Sequence, residues 1–113
     1  MIELISATRC VKCDLCVRVC PTNVFDAVPG GIPVIARQPD CQTCYACELY
    51  CPAEAMYVAP ESYEHVEVEE EDLVARGLLG SYRRTVGFGP GRDPVSRRDP
   101  EHILHRLLRS EIR

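Results

Sequence analysis

Cys10-Val11-Lys12-Cys13-Asp14-Leu15-Cys16-Val17-Arg18-Val19-Cys20-Pro21 returns in outline as Cys41-Gln42-Thr43-Cys44-Tyr45-Ala46-Cys47-Glu48-Leu49-Tyr50-Cys51-Pro52, 31 positions further on. Each stretch has the spacing C-x2-C-x2-C-x3-C-P, and together they contain all eight cysteines of the chain. Three cysteines so spaced cannot share one face of a strand or a helix. They can encircle a compact group if the backbone curls round it with its N–H groups turned inward. The fourth cysteine lies about one helical turn further on, where a short helix aims it away from its neighbours. The proline after it disfavours helical geometry in the residue before, so each helix should stop at its cysteine.

This spacing belongs to iron–sulfur runs in which three thiolates hold one cluster and the fourth reaches across to another. One cluster would then be held by Cys10, Cys13, Cys16 and Cys51, and the other by Cys41, Cys44, Cys47 and Cys20. Structural zinc is disfavoured, because its sites pair two C-x2-C units at a distance instead of spacing three cysteines evenly. A disulfide framework would need an oxidising compartment, and eight cysteines would allow about 105 pairings. Met1-Ile2-Glu3-Leu4-Ile5 has no basic region followed by a long apolar run, so no secretory leader is expected. With both runs complete, two [4Fe–4S] clusters are expected over a three-iron variant. No flavin or nucleotide site is expected on this chain.

The 113 residues leave room for one small domain and an appendage. The whole chain has only two Phe, five Tyr and no Trp, and its first 60 residues alone can bury little apolar area. The clusters should therefore serve as the core, with metal binding coupled to folding. The formal charge of −4 is unevenly spread. Residues 61–72 contain seven acids and no base, and residues 73–113 contain nine arginines against four acids. No apolar stretch approaches the roughly 20 residues of a membrane span. Thiolate ligands point to a reducing compartment, the cytoplasm.

Residues 1–60 read as a tandem α+β unit. Ile2–Ile5 is an expected strand, and Ala55–Ala59 is one that could pair with it. Val24–Val28 and Ile32–Ala36 flank Pro29-Gly30-Gly31 as a hairpin. Asp14–Val19 and Tyr45–Tyr50 are the two short helices. On all eight cysteines and the two Cys-Pro signals, residues 1–60 resemble the bacterial two-cluster ferredoxins. The resemblance implies a ferredoxin-like dicluster domain with pseudo-twofold symmetry, its clusters close enough for fast electron tunnelling.

Residues 61–113 are expected to form an appended linker and docking arm. His65-Val66-Glu67-Val68 could continue as a strand before an acidic linker. Asp72–Gly80 reads as a short helix capped by Asp72 and weakened by Gly77 and Gly80. Ser81–Arg98, rich in Gly, Pro and Arg, is expected not to fold on itself. Asp99-Pro100-Glu101 is a good helix start, followed by Ile103, Leu104, Leu107, Leu108 and Ile112 on one face. Such a helix is marginal alone and needs a surface. It could pack back on the head, lie on a membrane or dock on a partner, and the extended basic segment before it favours docking. Nothing interleaves aromatics with the arginines as nucleic-acid binding would require.

With its arm, the chain resembles the small iron–sulfur β-subunit of adenylylsulfate-reductase-like flavoprotein complexes. That resemblance implies an FAD-containing, fumarate-reductase-like flavoprotein partner and an external ferredoxin-like electron carrier, with this chain relaying single electrons between them. The alternative is a free-standing diffusible ferredoxin whose tail is a stabilising cap. Of the residues beyond the thiolates, Lys12 and Arg9 would raise the potential of the first cluster, and Thr43 and Tyr45 could hydrogen-bond sulfur at the second. Ile2 and Ile35 would shield the clusters. His65, His102 and His105 are scattered, and no nucleophile–base set or phosphate loop appears. Any catalysis would belong to a partner.

Overall fold

The two ends of the cysteine-bearing half pair with each other. The structure, a computed structural model, describes residues 1–89. Strand β1 (Ile2–Ile5) runs antiparallel to β4 (Met56–Val58), with Ile2 opposite Val58 and Ile5 opposite Met56. Between them in sequence, β2 (Phe25–Asp26) and β3 (Val34–Ile35) make a second antiparallel pair. Both are shorter than the apolar runs suggested, since Pro33 has no N–H to give to a ladder. The hairpin turns at Gly30, whose φ is 67°, and closes through Gly31 N–H to the Val28 carbonyl at 2.9 Å.

Helices α1 (Leu15–Val19) and α2 (Ala46–Tyr50) follow the cysteine loops and pack against each other. Both stop where the prolines require: Cys20 and Cys51 have extended backbone, with ψ of 117° and 110°. A single 3₁₀ turn, Gln38–Asp40, leads into the second loop. The result is a small α+β fold with a thin core of Ile2, Val24, Phe25, Ala55, Met56 and Val58 beside Cys16, Cys47 and Cys51. Ile35 packs against the edge of this core.

Residues 61–89 differ most from the sequence reading. His65–Val68 forms no strand. The Val66 N–H donates to Glu3 Oε2 and His65 Nδ1 sits on Glu3 Oε1, each at 2.7 Å. Strand pairing gives way here to capture by a carboxylate whose side chain has no solvent exposure. That carboxylate also accepts from Gln38 Nε2 at 2.7 Å, so it joins β1, the 3₁₀ turn and the chain after Pro60.

The next helix, α3, spans Glu70–Ala75 instead of Asp72–Gly80. Asp72 lies in its first turn with Glu70 and Glu71, where negative charge suits the helix dipole, and is not its cap. Gly77, at φ 68°, ends the helical run, and Leu73 and Leu79 are buried. Ser81–Val86, expected not to fold on itself, forms a further helix, α4, against α2. It is held by tertiary contacts that local composition cannot reveal. The helix expected from Asp99 onward lies outside the described residues.

Candidate metal centre

Six non-glycine residues have left-handed backbone: Lys12 (φ 60°), Asp14 (58°), Asn23 (57°), Thr43 (54°), Tyr45 (63°) and Glu54 (52°). They form three pairs, each 31 positions apart. Every such residue costs about 1–2 kcal/mol, so the same conformation in both repeats points to a geometric need. Alternating right- and left-handed residues turn successive N–H groups into a concave nest, a form suited to anions and iron–sulfur groups.

The N–H groups meet sulfur with the same symmetry. Lys12 N–H donates to Cys10 Sγ and Thr43 N–H to Cys41 Sγ, both at 3.4 Å. Val24 N–H donates to Cys20 Sγ and Ala55 N–H to Cys51 Sγ, again at 3.4 Å. Ile2 N–H adds a contact of 3.4 Å to Cys41 Sγ. Donors of this kind favour thiolate and tune a bound cluster.

Two hollows lie at these loops. One is lined by Cys10, Cys13, Cys16 and Cys51, with Ile5, Leu15, Pro33 and Met56 among its apolar walls. The other is lined by Cys20, Cys41, Cys44 and Cys47, with Ile2, Val24, Phe25 and Val58. Each takes three cysteines from one run and the last cysteine of the other. Among the described residues no three His, Cys, Asp or Glu groups converge on a single ion position. Each four-thiol set rings a volume, and one thiolate per iron of a cluster suits that arrangement.

Burial sets the thiols apart. It pushes Cys16 up to about 11, against the N–H of Val17, and drives Cys47 upward further still, against the N–H of Glu48. At Cys20 burial also raises the value, but N–H groups of Val24, Thr22 and Asn23 and the Thr22 hydroxyl bring it below that of an ordinary thiol. A cluster held by Cys16 and Cys47 would take them as thiolates, so its binding there would release protons.

The remaining expected residues are placed as follows. Thr43 Oγ1 is buried with no hydrogen-bond partner among the described residues, as suits a hydroxyl meant for sulfur. Asp14 Oδ1 is buried in the same way but is an acceptor and no help to a sulfide. Tyr45, the other expected sulfur donor, packs its ring against Tyr82 with centroids 4.8 Å apart. Lys12 stays exposed in the first loop, while Arg9 Nη1 donates to the Glu54 carbonyl at 3.2 Å.

Sequence reasoning missed Glu48 and Arg83. Glu48 is 1% exposed, and its carboxylate accepts from Val58 N–H at 3.3 Å and Tyr82 N–H at 3.2 Å. Burial pushes its carboxyl above the usual range, partly offset by those N–H groups and Arg84. Arg83 Nη1 donates to the Leu49 carbonyl at 2.6 Å and its guanidinium lies over Phe88. The only sequence signal for Glu48 was its place between Cys47 and Cys51, inside a helix that had to pack.

Residues 9–56 match the family model described as a 4Fe-4S dicluster domain. The chain is 38% identical over 47 residues to a ferredoxin of Methanothermococcus thermolithotrophicus, covering 42% of this chain and 77% of that protein. It is 37% identical over 46 residues to the ferredoxin-type protein NapF of Escherichia coli, covering 40% of this chain but only 28% of the relative. It is also 29% identical over 118 aligned positions to one subunit of the ferredoxin:CoB-CoM heterodisulfide reductase of Methanosarcina mazei, covering 86% of this chain and 15% of that protein. No solved structure matches.

Proposed function

This chain belongs to the ferredoxin family and carries two [4Fe–4S] clusters, and from that premise we propose that it is the electron-transfer subunit of a flavin oxidoreductase. Bound, each cluster takes up and releases one electron at a time. The observation that supports the relay is the crossed lining of the two hollows, with Cys51 in the first and Cys20 in the second. On this reading Cys10, Cys13, Cys16 and Cys51 hold one cluster, and Cys41, Cys44, Cys47 and Cys20 hold the other. The α1–α2 contact keeps the two sites side by side.

The chain's own residues bind, shield and tune. Ile2, Val24, Phe25, Met56 and Val58 keep water from the inner faces of the sites. The paired N–H donors stabilise added negative charge at both sites. Lys12 supplies a positive charge at the first loop, where Thr43 is neutral at the second, and so raises the first cluster's potential relative to an uncharged loop.

An FAD-containing, fumarate-reductase-like flavoprotein is the proposed partner, with an external ferredoxin-like carrier at the other end of the relay. The head-and-arm order read from the sequence resembles, in outline only, that of adenylylsulfate-reductase-like small subunits. The alignment to a relative named as part of a reductase, running well beyond the cysteine runs, supports a subunit role. The proposed compartment is the reducing cytoplasm, and no helix of the described residues is long and apolar enough to cross a membrane.

One observation favours the free ferredoxin instead: α4 and Phe88 cover α2, as a stabilising cap would. Purification from native cells under mild conditions, followed by flavin analysis, separates the two. The subunit reading expects a larger complex containing flavin, and a lone 12.7 kDa monomer contradicts it.

A further inference from the structure

The pseudo-twofold frame differs most at its two cysteine loops. In the second repeat Gln42 to Ala46 carry no charge, and α2 is covered by Tyr82, Arg83 and Phe88. In the first repeat the matching surface is open and basic. Val11 is 63% exposed, and Lys12, Cys13 and Arg18 are exposed beside it. Arg18 stands where the second repeat has Leu49, and Lys12 where it has Thr43.

Two features hold this cationic rim in place. Arg18 Nη2 donates to the Cys13 carbonyl at 3.2 Å, which pins its guanidinium to the loop. Lys12 projects from a left-handed residue whose N–H is committed to Cys10 Sγ. The acid within the loop, Asp14, has Oδ1 buried.

We propose that the loop round Cys13 is the docking site for an acidic one-electron carrier protein. Carboxylates on the carrier would meet Lys12 and Arg18, and its apolar centre would meet Val11. The proposal rests on the reading that this chain exchanges electrons with an external carrier, and adds which site faces it and what chemistry the carrier presents. Charge complementarity carries the choice. The segment 61–72, with seven acids and no base, would repel such a partner, so the basic rim fixes its approach as well as its affinity. The pinned Arg18 loses little freedom on docking.

The test compares two charge-matched pairs of substitutions in the holoprotein. Lys12→Gln with Arg18→Gln removes two positive charges at the first loop, and Gln42→Glu with fully exposed Tyr63→Glu adds two negative charges away from it. The probe is an acidic flavodoxin, with both proteins oxidised so that no electron moves, and binding is read by isothermal calorimetry at low salt. The first pair should weaken binding on the order of tenfold. The second should change it by no more than about twofold. Retention of the absorbance near ~400 nm shows that the clusters persist. Equal losses from the two pairs, or no binding by the unsubstituted protein, overturn the proposal. Absence of a flavoprotein complex in native cells would leave this comparison standing, because binding is read on the isolated holoprotein.

Discussion

Gly80 shows how little freedom single positions have. Its φ is 70°, and a Cβ placed on it would lie 2.4 Å from Glu54 Cβ and 2.8 Å from Glu54 Cα. The close approach lets Gly80 N–H reach the Met56 carbonyl at 2.9 Å, fastening the chain after α3 to β4. Gly80→Ala must therefore leave the left-handed region or push β4 away. A loss of about 2 kcal/mol or more is expected, from the left-handed penalty alone plus the clash. It would be read as an earlier midpoint for cluster bleaching in guanidinium, and an unchanged midpoint would contradict this geometry.

His65 is a second residue with a defined outcome. The Glu3 carboxylate, by hydrogen bond and then by charge, holds its imidazole above the ordinary value, and exposed Glu67 adds to the effect. Because the folded value is raised, the protonated pair stabilises the fold fully below the usual imidazole value of about 6.5. That stabilisation is lost as pH rises through the higher folded value. The difference in thermal stability between the wild type and His65→Ala should thus be largest near pH ~5.5 and shrink by pH ~9. The effect is small, since His65 is half exposed and screened. A difference that grows with pH would show that the pair acts otherwise.

At the scale of elements, α2 is the hinge of the packing. Glu48 on its inner side ties it to β4 and to the first turn of α4, while Arg83, Tyr82 and Phe88 fold over its outer side. Glu48→Ala would strand the N–H groups of Val58 and Tyr82, each at a cost of about 1–3 kcal/mol if left unpaired. The expected loss is roughly 2–4 kcal/mol after relaxation. Amide hydrogen exchange should show α4 opening first, and protection of α4 unchanged by the substitution would refute its anchoring role.

Much of this was legible from the chain, and the boundary between what was and was not is physical. The Cys-Pro signals marked both helix ends, and Ile2–Ile5 was readable as a strand, because these depend on local geometry. The nests were not legible, because Lys12, Asp14, Asn23, Thr43, Tyr45 and Glu54 carry no glycine signature. Only the 31-residue echo between repeats could have exposed them. Glu3 and Glu48 carried no signal, since nothing local shows that a carboxylate will be buried under backbone donors. Helix α4 was hidden for the same reason: Tyr82 and Arg83 are anchors only once Tyr45 and the Leu49 carbonyl are opposite them.

For the whole molecule, the thin core implies that metal and fold stand together. Met1, Ile2, Val24, Phe25, Ala55, Met56 and Val58 are the buried apolar residues of the head apart from its cysteines and Ala59. So small a set does not offset the ordering entropy of both loops. Complete iron removal should abolish the native circular dichroism spectrum, and a native-like apo spectrum would refute that coupling. The six left-handed residues point the same way, because their strain is offset only when the nests are filled.

The central claim is that this chain holds two [4Fe–4S] clusters, each bound by three thiolates of one run and one of the other. Iron and acid-labile sulfide analysis of the anaerobically purified protein, combined with a coulometric reductive titration, tests it most directly. The account predicts about eight iron and eight sulfide per chain, with two one-electron reductions. In Cys20→Ser the cluster shared with Cys41, Cys44 and Cys47 should be altered while the other persists. Four iron per chain, zinc in place of iron, or damage in Cys20→Ser confined to the cluster of Cys10, Cys13 and Cys16 would contradict it.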